Sequence, residues 1–379
     1  MPTHYKREGV ESDLNFEEVS LSTKLILNTA KEYGIKCEEV PYTGMHLLKF
    51  RGKQSYLHAQ PPTGNDRTSI YCCKNKAITK SILSSKNISV PKGFVIKKSD
   101  KVSYWKLVFK TLNKPIVVKP IDSSLAFNVH ANIKTLNKYI SSIKETFAYF
   151  GELNQDLIVE EMFIGTEYRI LATRNKVIGI MSRIPANITG DGIHTIEKLV
   201  EIKNQHPWRG GKYALKEIRL GKHEKSHLNK SGWSIKDIPS KKQQVYLLNV
   251  SPFNIDEGGD TIDCTTIAHP SVAKIIMRAM RAVPGLTWAG MDFFSKDITK
   301  PQKPTDYIIL EINTSPNIAW QEFPAVGKRK QVSLEYLKTI FPELRLKKRK
   351  KIGRTSPLTP PPPQTASNLF DPQSFSHVV

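Results

Sequence analysis

The sequence of 379 residues predicts a mixed α/β fold, because short β-branched and aliphatic segments alternate with segments of helical spacing. The strand-like segments are 114–120, 156–163, 168–183 and 307–313. Helical spacing is found at 135–150 and 270–283. Because 39% of the residues are hydrophobic, the chain can bury a substantial core, which we expect to be divided into two or three units.

The first 70 or so residues predict a small α/β unit ahead of a larger body. One amphipathic helix is predicted over residues 15–35, beginning near Asn15. Residues 45–60 predict a hairpin, and the segment from Pro61 to Asp66 predicts a turn-rich link. We therefore expect an N-terminal unit over residues 1–73.

Lys119 ends the apolar strand predicted at residues 114–120. A lysine at such a position is costly to bury without an anion, and its flexible stem and compact charge suit phosphate oxygens. Phosphate binding is one interpretation of Lys119. A surface lysine is the alternative, because exposed lysines are common.

The segment 156–163 contains adjacent carboxylates at Glu160 and Glu161. The backbone from Val159 to Met162 could hold a planar ring, which would leave one of the two carboxylates to accept a hydrogen bond from a ribose hydroxyl. A solvated pair of glutamates at a strand end is the alternative. Gly258 and Gly259 likewise suit close approach of the backbone to phosphate, with a plain loop as the alternative.

Three oxygen-bearing side chains near the end of the body indicate a cation site. Glu311 and Asn313 are two residues apart on a predicted strand and therefore share one face. If the strand around Asp292 lies beside it, the three side chains converge as ligands for a hard cation such as Mg²⁺, which in turn suits phosphate oxygens. The polar face of a half-exposed strand is the alternative.

The chain has 57 Lys and Arg against 35 Asp and Glu, which gives a formal net charge of +22. Residues 345–379 supply +6 of this charge and six of the 24 prolines, which predicts a disordered, basic, Pro-rich tail. A solvated tail is favoured over a nucleic-acid contact. No apolar run of about 18 residues predicts a membrane span, no secretory signal is visible, and a cytoplasmic location is expected. The four cysteines, which have neither a CxxC spacing nor a His-rich neighbourhood, are expected to be reduced thiols.

Several segments of the sequence, taken in their order along the chain, resemble the ATP-grasp family of carboxylate–amine ligases. The resemblance rests on RIPANITGDGIHTIEKLVEIKNQHPWRGG, LKEIRLGKHE, NIDEGGDTIDCT, AGMDFF and ILEINTSPNIAWQEFPAVGKR, and covers residues 74–344. These segments are similar to the ligase module of bifunctional glutathione synthetases and to the ATP-grasp domain of cyanophycin synthetase. The resemblance implies two α+β subdomains that grip ATP, preceded by the N-terminal unit and followed by the tail.

The resemblance also implies roles for individual residues, with ATP and Mg²⁺ or Mn²⁺ as cofactors. Lys76 and Lys119 would contact nucleotide phosphates, and Arg183, with Arg169, would stabilise the transferred phosphoryl group. The adenine hinge would be Glu160, Glu161 and Met162, with Glu167 near the ribose. The metal ligands would be Asp292, Glu311 and Asn313.

Two departures from the family pattern stand out. The segment from Pro120 to Ile133 contains no glycine, whereas the relatives usually have a flexible glycine-containing loop there, so lid closure or the full catalytic rate is in doubt. Gln321 stands where the relatives commonly have a histidine, which indicates a different substrate preference.

The leading functional prediction is an ATP-dependent ligase that forms an amide or peptide bond through an acyl phosphate, with amino acids or small peptides as substrates. A nucleotide-binding scaffold with reduced catalysis is the alternative, motivated by the glycine-free loop. A nucleic-acid-binding protein is less favoured, because no recognition motif accompanies the basic charge, so nucleic acid would bind only through the tail. No membrane partner is expected, and assembly into a homo-oligomer stays open.

Overall fold

The computed structural model describes residues 20–41, 43–58, 64–122, 128–151, 155–206, 208–210, 214–248 and 258–346. The helices within these ranges are α1 (Leu21–Glu32), α2 (Arg67–Lys74), α3 (Lys76–Ser85), α4 (Val102–Thr111), α5 (Leu136–Phe150), α6 (Ile196–Asn204), α7 (Lys222–Lys230), α8 (Pro270–Ala282), α9 (Ala319–Glu322) and α10 (Val332–Ile340), followed by a 3₁₀ turn (Pro342–Leu346).

The described strands are β1 (Lys36–Val40), β2 (Met45–Phe50), β3 (Lys53–His58), β4 (Gly93–Ile96), β5 (Ile116–Pro120), β6 (His130–Ile133), β7 (Leu157–Glu161), β8 (Thr166–Thr173), β9 (Lys176–Ile184), β10 (Asn187–Thr189), β11 (Gln244–Tyr246), β12 (Asp260–Asp263), β13 (Trp288–Ser295) and β14 (Tyr307–Asn313). All the strand-like segments predicted from the sequence are confirmed. The segment 168–183 is divided between β8 and β9.

A four-stranded antiparallel sheet, in the order β4-β7-β5-β6, forms the first layer of the body. Helices α4 and α5 cover one face of it, and their apolar side chains share a core with the strands. The buried residues of α5, such as Tyr139, Ile143 and Phe147, recur three or four positions apart. This spacing is the reason that the predicted helix over residues 135–150 packs along the sheet.

The larger sheet has five antiparallel strands in the order β12-β9-β8-β13-β14. Helix α8 packs on one face, with Val272, Ile276 and Ala279 fully buried among the sheet residues. The opposite face of the sheet carries charged side chains. Alternation along each strand separates the two faces, since successive side chains point to opposite sides.

The N-terminal hairpin sheet, β1-β2-β3, shares its core with the C-terminal part of the body. Ile26 of α1 and Leu48 of β2 pack with Leu337 of α10 and with Trp288 of the five-stranded sheet. The unit predicted over residues 1–73 is therefore packed against later elements. The domain boundaries at residues 73 and 344 stay predictions.

Between β9 and β12 the chain forms a small subdomain from α6, α7 and the two-stranded sheet β10-β11. Its core includes Ile188, Leu199, Leu228 and Val245. The chain enters this subdomain directly from Ile184, the last residue of β9 in the larger sheet.

One helix boundary differs from the prediction. Helix α1 begins at Leu21, because the side chain of Ser20 accepts a hydrogen bond from the Thr23 N–H and so caps the helix; the start near Asn15 is wrong. The predicted tail beyond Leu346, the N-terminal residues 1–19 and residues 123–127 of the glycine-free loop lie outside the described residues. Within the described ranges, no helix is long and apolar enough to cross a bilayer.

The four cysteines are free thiols, as the sequence predicts. Burial raises the pKa of both Cys73 and Cys264 to about 12, with a smaller contribution from Cys72 for the former. These two thiols are therefore protonated and chemically inert near neutral pH.

Candidate active site

A transverse row of side chains crosses the charged face of the five-stranded sheet. The strand registers pair Asp263 with Met181, Met181 with Arg169, Arg169 with Asp292, and Asp292 with Glu311. Directly opposed residues in antiparallel strands present their side chains to the same face. The pairing brings Asp292 and Glu311 together, as the sequence predicts.

The carboxyl groups of Asp292 and Glu311 form a coupled pair. Burial, together with the nearby Glu311 and Glu167, raises the pKa of Asp292 well above its ordinary value, although Arg169 opposes this shift. Burial also acts to raise the pKa of Glu311, but Lys76, Arg169 and a hydrogen bond with Asp292 lower it. The pKa values of the two carboxyl groups are therefore shifted in opposite directions, up for Asp292 and down for Glu311.

This carboxyl pair fits a divalent cation. Two facing carboxylates repel each other, and a hard cation held between them would remove that repulsion. Asn313 lies two residues beyond Glu311, and its Oδ1 accepts a hydrogen bond from the Ser315 N–H at 2.8 Å, which orients the amide beside the strand end. The described residues contain no group of three or more His, Cys, Asp or Glu arranged for a metal, so the amide of Asn313 would complete the donor set.

Two arginines lie beside this pair. Arg169 Nε is 2.7 Å from Asp292 Oδ1. Arg183, at the end of β9, pairs with Glu167 through a close contact between Nη2 and Oε1. The guanidinium of Arg183 also lies 5.6 Å from the ring centroid of the half-buried Trp320. The site therefore contains two oriented cations, each matched to one carboxylate.

The four-stranded sheet contributes a second charged cluster, centred on Glu160. Glu160 is only 1% exposed, and its Oε1 is 2.8 Å from Lys80 Nζ while its Oε2 is 2.7 Å from Lys119 Nζ. Burial would raise the pKa of Glu160, but Lys119 and Lys80 outweigh this effect and lower it. We call these three residues the Glu160 triad.

Helix α3 connects the two clusters. Lys76 and Lys80 are four residues apart and therefore lie on one face of the helix. Lys76 Nζ is 3.8 Å from Glu311 Oε2 in the five-stranded sheet, whereas Lys80 pairs with Glu160 in the four-stranded sheet. Lys76 is the first residue of α3, an unfavourable place for a cation in the field of the helix dipole. Lys76 is nevertheless buried there, at 8% exposure.

The hinge segment is held by backbone contacts. The Glu161 N–H donates to the Lys92 carbonyl and the Met162 N–H to the Pro115 carbonyl, each at 2.9 Å. The Glu161 carboxylate accepts from the backbone and side-chain N–H groups of Asn113, each at 3.0 Å. Both carboxylates have partners within the protein, and the acceptance of a ribose hydroxyl by Glu160 or Glu161 stays a prediction.

Gly258 and Gly259 lie beside a different cluster. Gly258 has a φ of +90°, and its carbonyl accepts a hydrogen bond from Arg209 Nη1 at 2.9 Å. The buried Asp260 that follows pairs closely with Arg209 and lies 2.5 Å from Lys203 Nζ. No described contact joins these glycines to Lys76, Lys119 or the carboxyl pair.

Lys80 is the charged residue of this site that sequence reasoning missed. The signal was present in the spacing, because residues 76, 79, 80 and 83 form the buried face of α3. A prediction that Lys76 faces the site therefore places Lys80 on the same face. A lysine in a helix is otherwise expected to extend into solvent.

Gln321 belongs neither to the carboxyl pair nor to the Glu160 triad. It is 3% exposed, and its side-chain amide donates to the Arg169 carbonyl at 3.1 Å. A Cβ atom added at Gly179 would lie 2.2 Å from Gln321 Oε1, so the glycine is required for this close approach. Gln321 therefore supports the strand that presents Arg169.

Comparison with known proteins finds relatives among the bifunctional glutathione biosynthesis proteins. The glutathione biosynthesis bifunctional protein GshAB of Mannheimia succiniciproducens is 30% identical over 335 residues, which cover 87% of this chain and 44% of that protein. The corresponding protein of Enterococcus faecalis is 31% identical over 337 residues, covering 87% of this chain and 43% of that protein. No family model matches the sequence.

Among solved structures, a bifunctional glutathione synthetase from Pasteurella multocida superposes with a TM-score of 0.71 at 26% identity. The superposition covers 86% of this chain and 45% of that one. This chain spans less than half the length of the relatives it matches.

Proposed function

We infer that this chain, a homologue of the bifunctional glutathione biosynthesis proteins with the ATP-grasp fold, is an ATP-dependent carboxylate–amine ligase. The proposed reaction joins the carboxylate of an amino acid or small peptide to an amine. Because the chain spans less than half of its relatives, the reaction, its substrates and its partners are proposed here for this chain alone.

One observation carries the proposal. Lys76 of α3 lies 3.8 Å from Glu311, which faces Asp292 on the five-stranded sheet. One turn later in the same helix, Lys80 contacts Glu160 of the four-stranded sheet. Lysines of one helix thus approach a carboxylate of each sheet, with Lys76 near Glu311 and Lys80 near Glu160. This is the charge pattern that a metal-bound polyphosphate requires, since carboxylates hold the metal and lysines hold the phosphates.

The proposed binding roles follow from these positions. Lys76 and Lys119 would contact the phosphates, while the hinge residues Glu160 to Met162 would line the adenine site and Glu167 would lie near the ribose. Gly258 and Gly259, whose surroundings are occupied by Arg209 and Asp260, would serve the nucleotide only by their backbone.

Asp292, Glu311 and Asn313 would hold Mg²⁺ or Mn²⁺. When bound, the metal would neutralise charge on the phosphate oxygens of ATP. The protein's own contribution is the pair of facing carboxyl groups on neighbouring strands. Arg169, paired with Asp292 at 2.7 Å, fixes the direction of that carboxylate.

The proposed chemistry proceeds in two stages. The substrate carboxylate attacks the γ-phosphorus of ATP in line, which forms an acyl phosphate and breaks the bond to the ADP oxygen. The amine then attacks the acyl carbon, phosphate leaves, and the amine loses a proton. Arg183, with Arg169 and Lys119, would offset the charge of the transferred group, so the protein acts chiefly by orientation and electrostatics.

The test is a phosphate-release assay on the purified chain with ATP, Mg²⁺ and a panel of amino acids and dipeptides. We expect release that requires both a carboxylate and an amine, with a product whose mass equals the two substrates less one water. Absence of release across the panel, without any rise in melting temperature on adding ATP, would contradict the proposal.

The glycine-free loop favours a second candidate, a nucleotide-binding scaffold with reduced catalysis. Residues 123–127 of that loop lie outside the described part of the chain. This candidate predicts that ATP raises the melting temperature while no combination of substrates releases phosphate. The same assay therefore separates the two candidates.

A further inference from the structure

The Glu160 triad has an uneven charge count. Two lysines face one carboxylate, so the triad carries a net charge of one positive unit. Both lysines are buried, at 6% exposure each. A buried excess of positive charge is costly unless an anion is expected nearby.

The two lysines have different surroundings. Lys119 lies near the end of β5, one residue before Pro120, where the sheet gives way to the loop that follows. Lys80 lies in the middle of α3, between buried Thr79 and buried Leu83. Lys119 thus reaches one oxygen of Glu160 from near the end of a strand, whereas Lys80 reaches the other oxygen from the middle of a helix.

The neighbouring strand β4 holds Glu160 in place between Lys80 and Lys119. Gly93 of β4 pairs with Glu160, and a Cβ atom at Gly93 would lie 2.8 Å from Glu160 Cγ. The carboxylate therefore has little room to move away from the lysines. Burial lowers the pKa of Lys80 to about 8, although Glu160 opposes this shift, so Lys80 is mostly charged near neutral pH.

We propose that Lys80 is a positioning residue for Lys119: it occupies one oxygen of Glu160 and thereby leaves the charge of Lys119 available to nucleotide phosphate. This inference rests on the proposed function, and it assigns a role to a residue that need not touch the nucleotide. A neutral pair of Lys119 with Glu160 would attract phosphate only weakly. The second lysine restores a net positive charge to the triad.

A double-mutant cycle at Lys80 and Glu160 tests this role by calorimetric binding of ADP with Mg²⁺. Lys80→Met is expected to weaken ADP binding about tenfold, because Glu160 then engages Lys119 with both oxygens. Glu160→Gln alone measures what Glu160 itself contributes to ADP binding and is the reference for the cycle, because Glu160 also belongs to the proposed adenine site. In the Lys80→Met background, the same Glu160→Gln change is expected to restore about tenfold, because Lys119 is released.

The matched control is Lys86→Met, which removes an exposed lysine at the end of the same helix. It should leave ADP affinity unchanged. Because Lys80→Met leaves a buried carboxylate with one partner, it could fail to fold. In that case the cycle uses Lys80→Gln, whose amide still donates to Glu160 without carrying a charge.

Two results would overturn the inference. If Glu160→Gln raises the affinity by the same factor in both backgrounds, Lys80 acts as an independent charge and not through Glu160. If Lys80→Met binds ADP as tightly as the wild type, Lys80 has no positioning role. Failure of the wild type to bind either ADP or ATP would instead reject the proposed function, and with it the inference.

Discussion

Asp292 of β13 lies directly opposite Glu311 of β14 in the register of the two strands. Like charges placed opposite each other in a sheet are destabilising. The sheet nevertheless contains this pair at the point where Arg169 and Lys76 approach it. The arrangement favours ligand binding over stability.

Replacing Glu311 with glutamine separates the effect of this residue on ligand binding from its effect on stability. Glu311→Gln should lower Mg²⁺-dependent phosphate release about 100-fold or more, because a carboxylate that the transition-state charge depends on is lost. The melting temperature should stay the same or rise, because the repulsion from Asp292 is removed. Asp306→Asn, at a surface ion pair with Lys296, is the control and should retain full activity. A variant that releases phosphate at the wild-type rate would contradict the metal assignment.

Arg183→Lys tests whether the guanidinium acts on the reacting group. Lysine keeps the charge but cannot reproduce the planar contacts with Glu167 and Trp320. We expect kcat to fall about tenfold or more while KM for ATP changes less than about threefold, as for an interaction made chiefly in the transition state. Steady-state kinetics provide the measurement, with Arg278→Lys on the exposed side of α8 as the control. A change confined to KM would place Arg183 in ground-state binding.

Asp260 should contribute strongly to stability at neutral pH. Burial would raise its pKa, but Lys203 and Arg209 lower it below the value of about 3.9 expected in the unfolded chain. The contribution is therefore present above that unfolded-state pKa and is lost as the pH falls through the lower folded-state pKa. Asp260→Asn should reduce the free energy of unfolding by about 3–5 kcal/mol at pH 7.

The pH dependence of this substitution is the decisive observation. The difference in unfolding free energy between wild type and Asp260→Asn, measured by urea titration, should shrink progressively as the pH is lowered below about 4. A difference that stays constant across that range would show that the carboxylate charge does not stabilise the cluster.

Leu337→Ala tests whether the N-terminal sheet folds with the body. Leu337 is fully buried in the core that joins α10 to α1 and β2, so the cavity should cost about 2–5 kcal/mol. We expect one cooperative unfolding transition, shifted as a whole, by both fluorescence and circular dichroism. Leu107→Ala on the exposed side of α4 is the control, with an effect below about 0.5 kcal/mol. Separate unfolding of the N-terminal residues would instead support an independent unit ending near residue 73.

Local patterns in the sequence were sufficient to predict much of the fold. Aliphatic runs predicted the strands that carry Lys119 and Glu311, and period-two alternation placed Glu311 and Asn313 on one face. The ATP-grasp fold and the resemblance to bifunctional glutathione synthetases are confirmed. The similarity to cyanophycin synthetase and the individual site roles stay predictions.

Contacts between distant segments could not be predicted in the same way. Glu160 meets Lys80 and Lys119, which both lie far before it in the sequence, and Asp260 meets Lys203 and Arg209 more than 50 residues earlier. No local periodicity encodes such pairs, because their geometry depends on how the sheets and helices pack. Ser20 shows the opposite case, since a local capping signal determines where α1 begins.

The core shared by Ile26 and Leu337 has a consequence for synthesis of the protein on the ribosome. At about 5–20 residues per second, Ile26 would emerge roughly 15–60 seconds before Leu337. During that interval the apolar face of α1 has no α10 to cover it. The nascent chain would therefore need a chaperone, or a temporary non-native contact, to protect this face until α10 has been made.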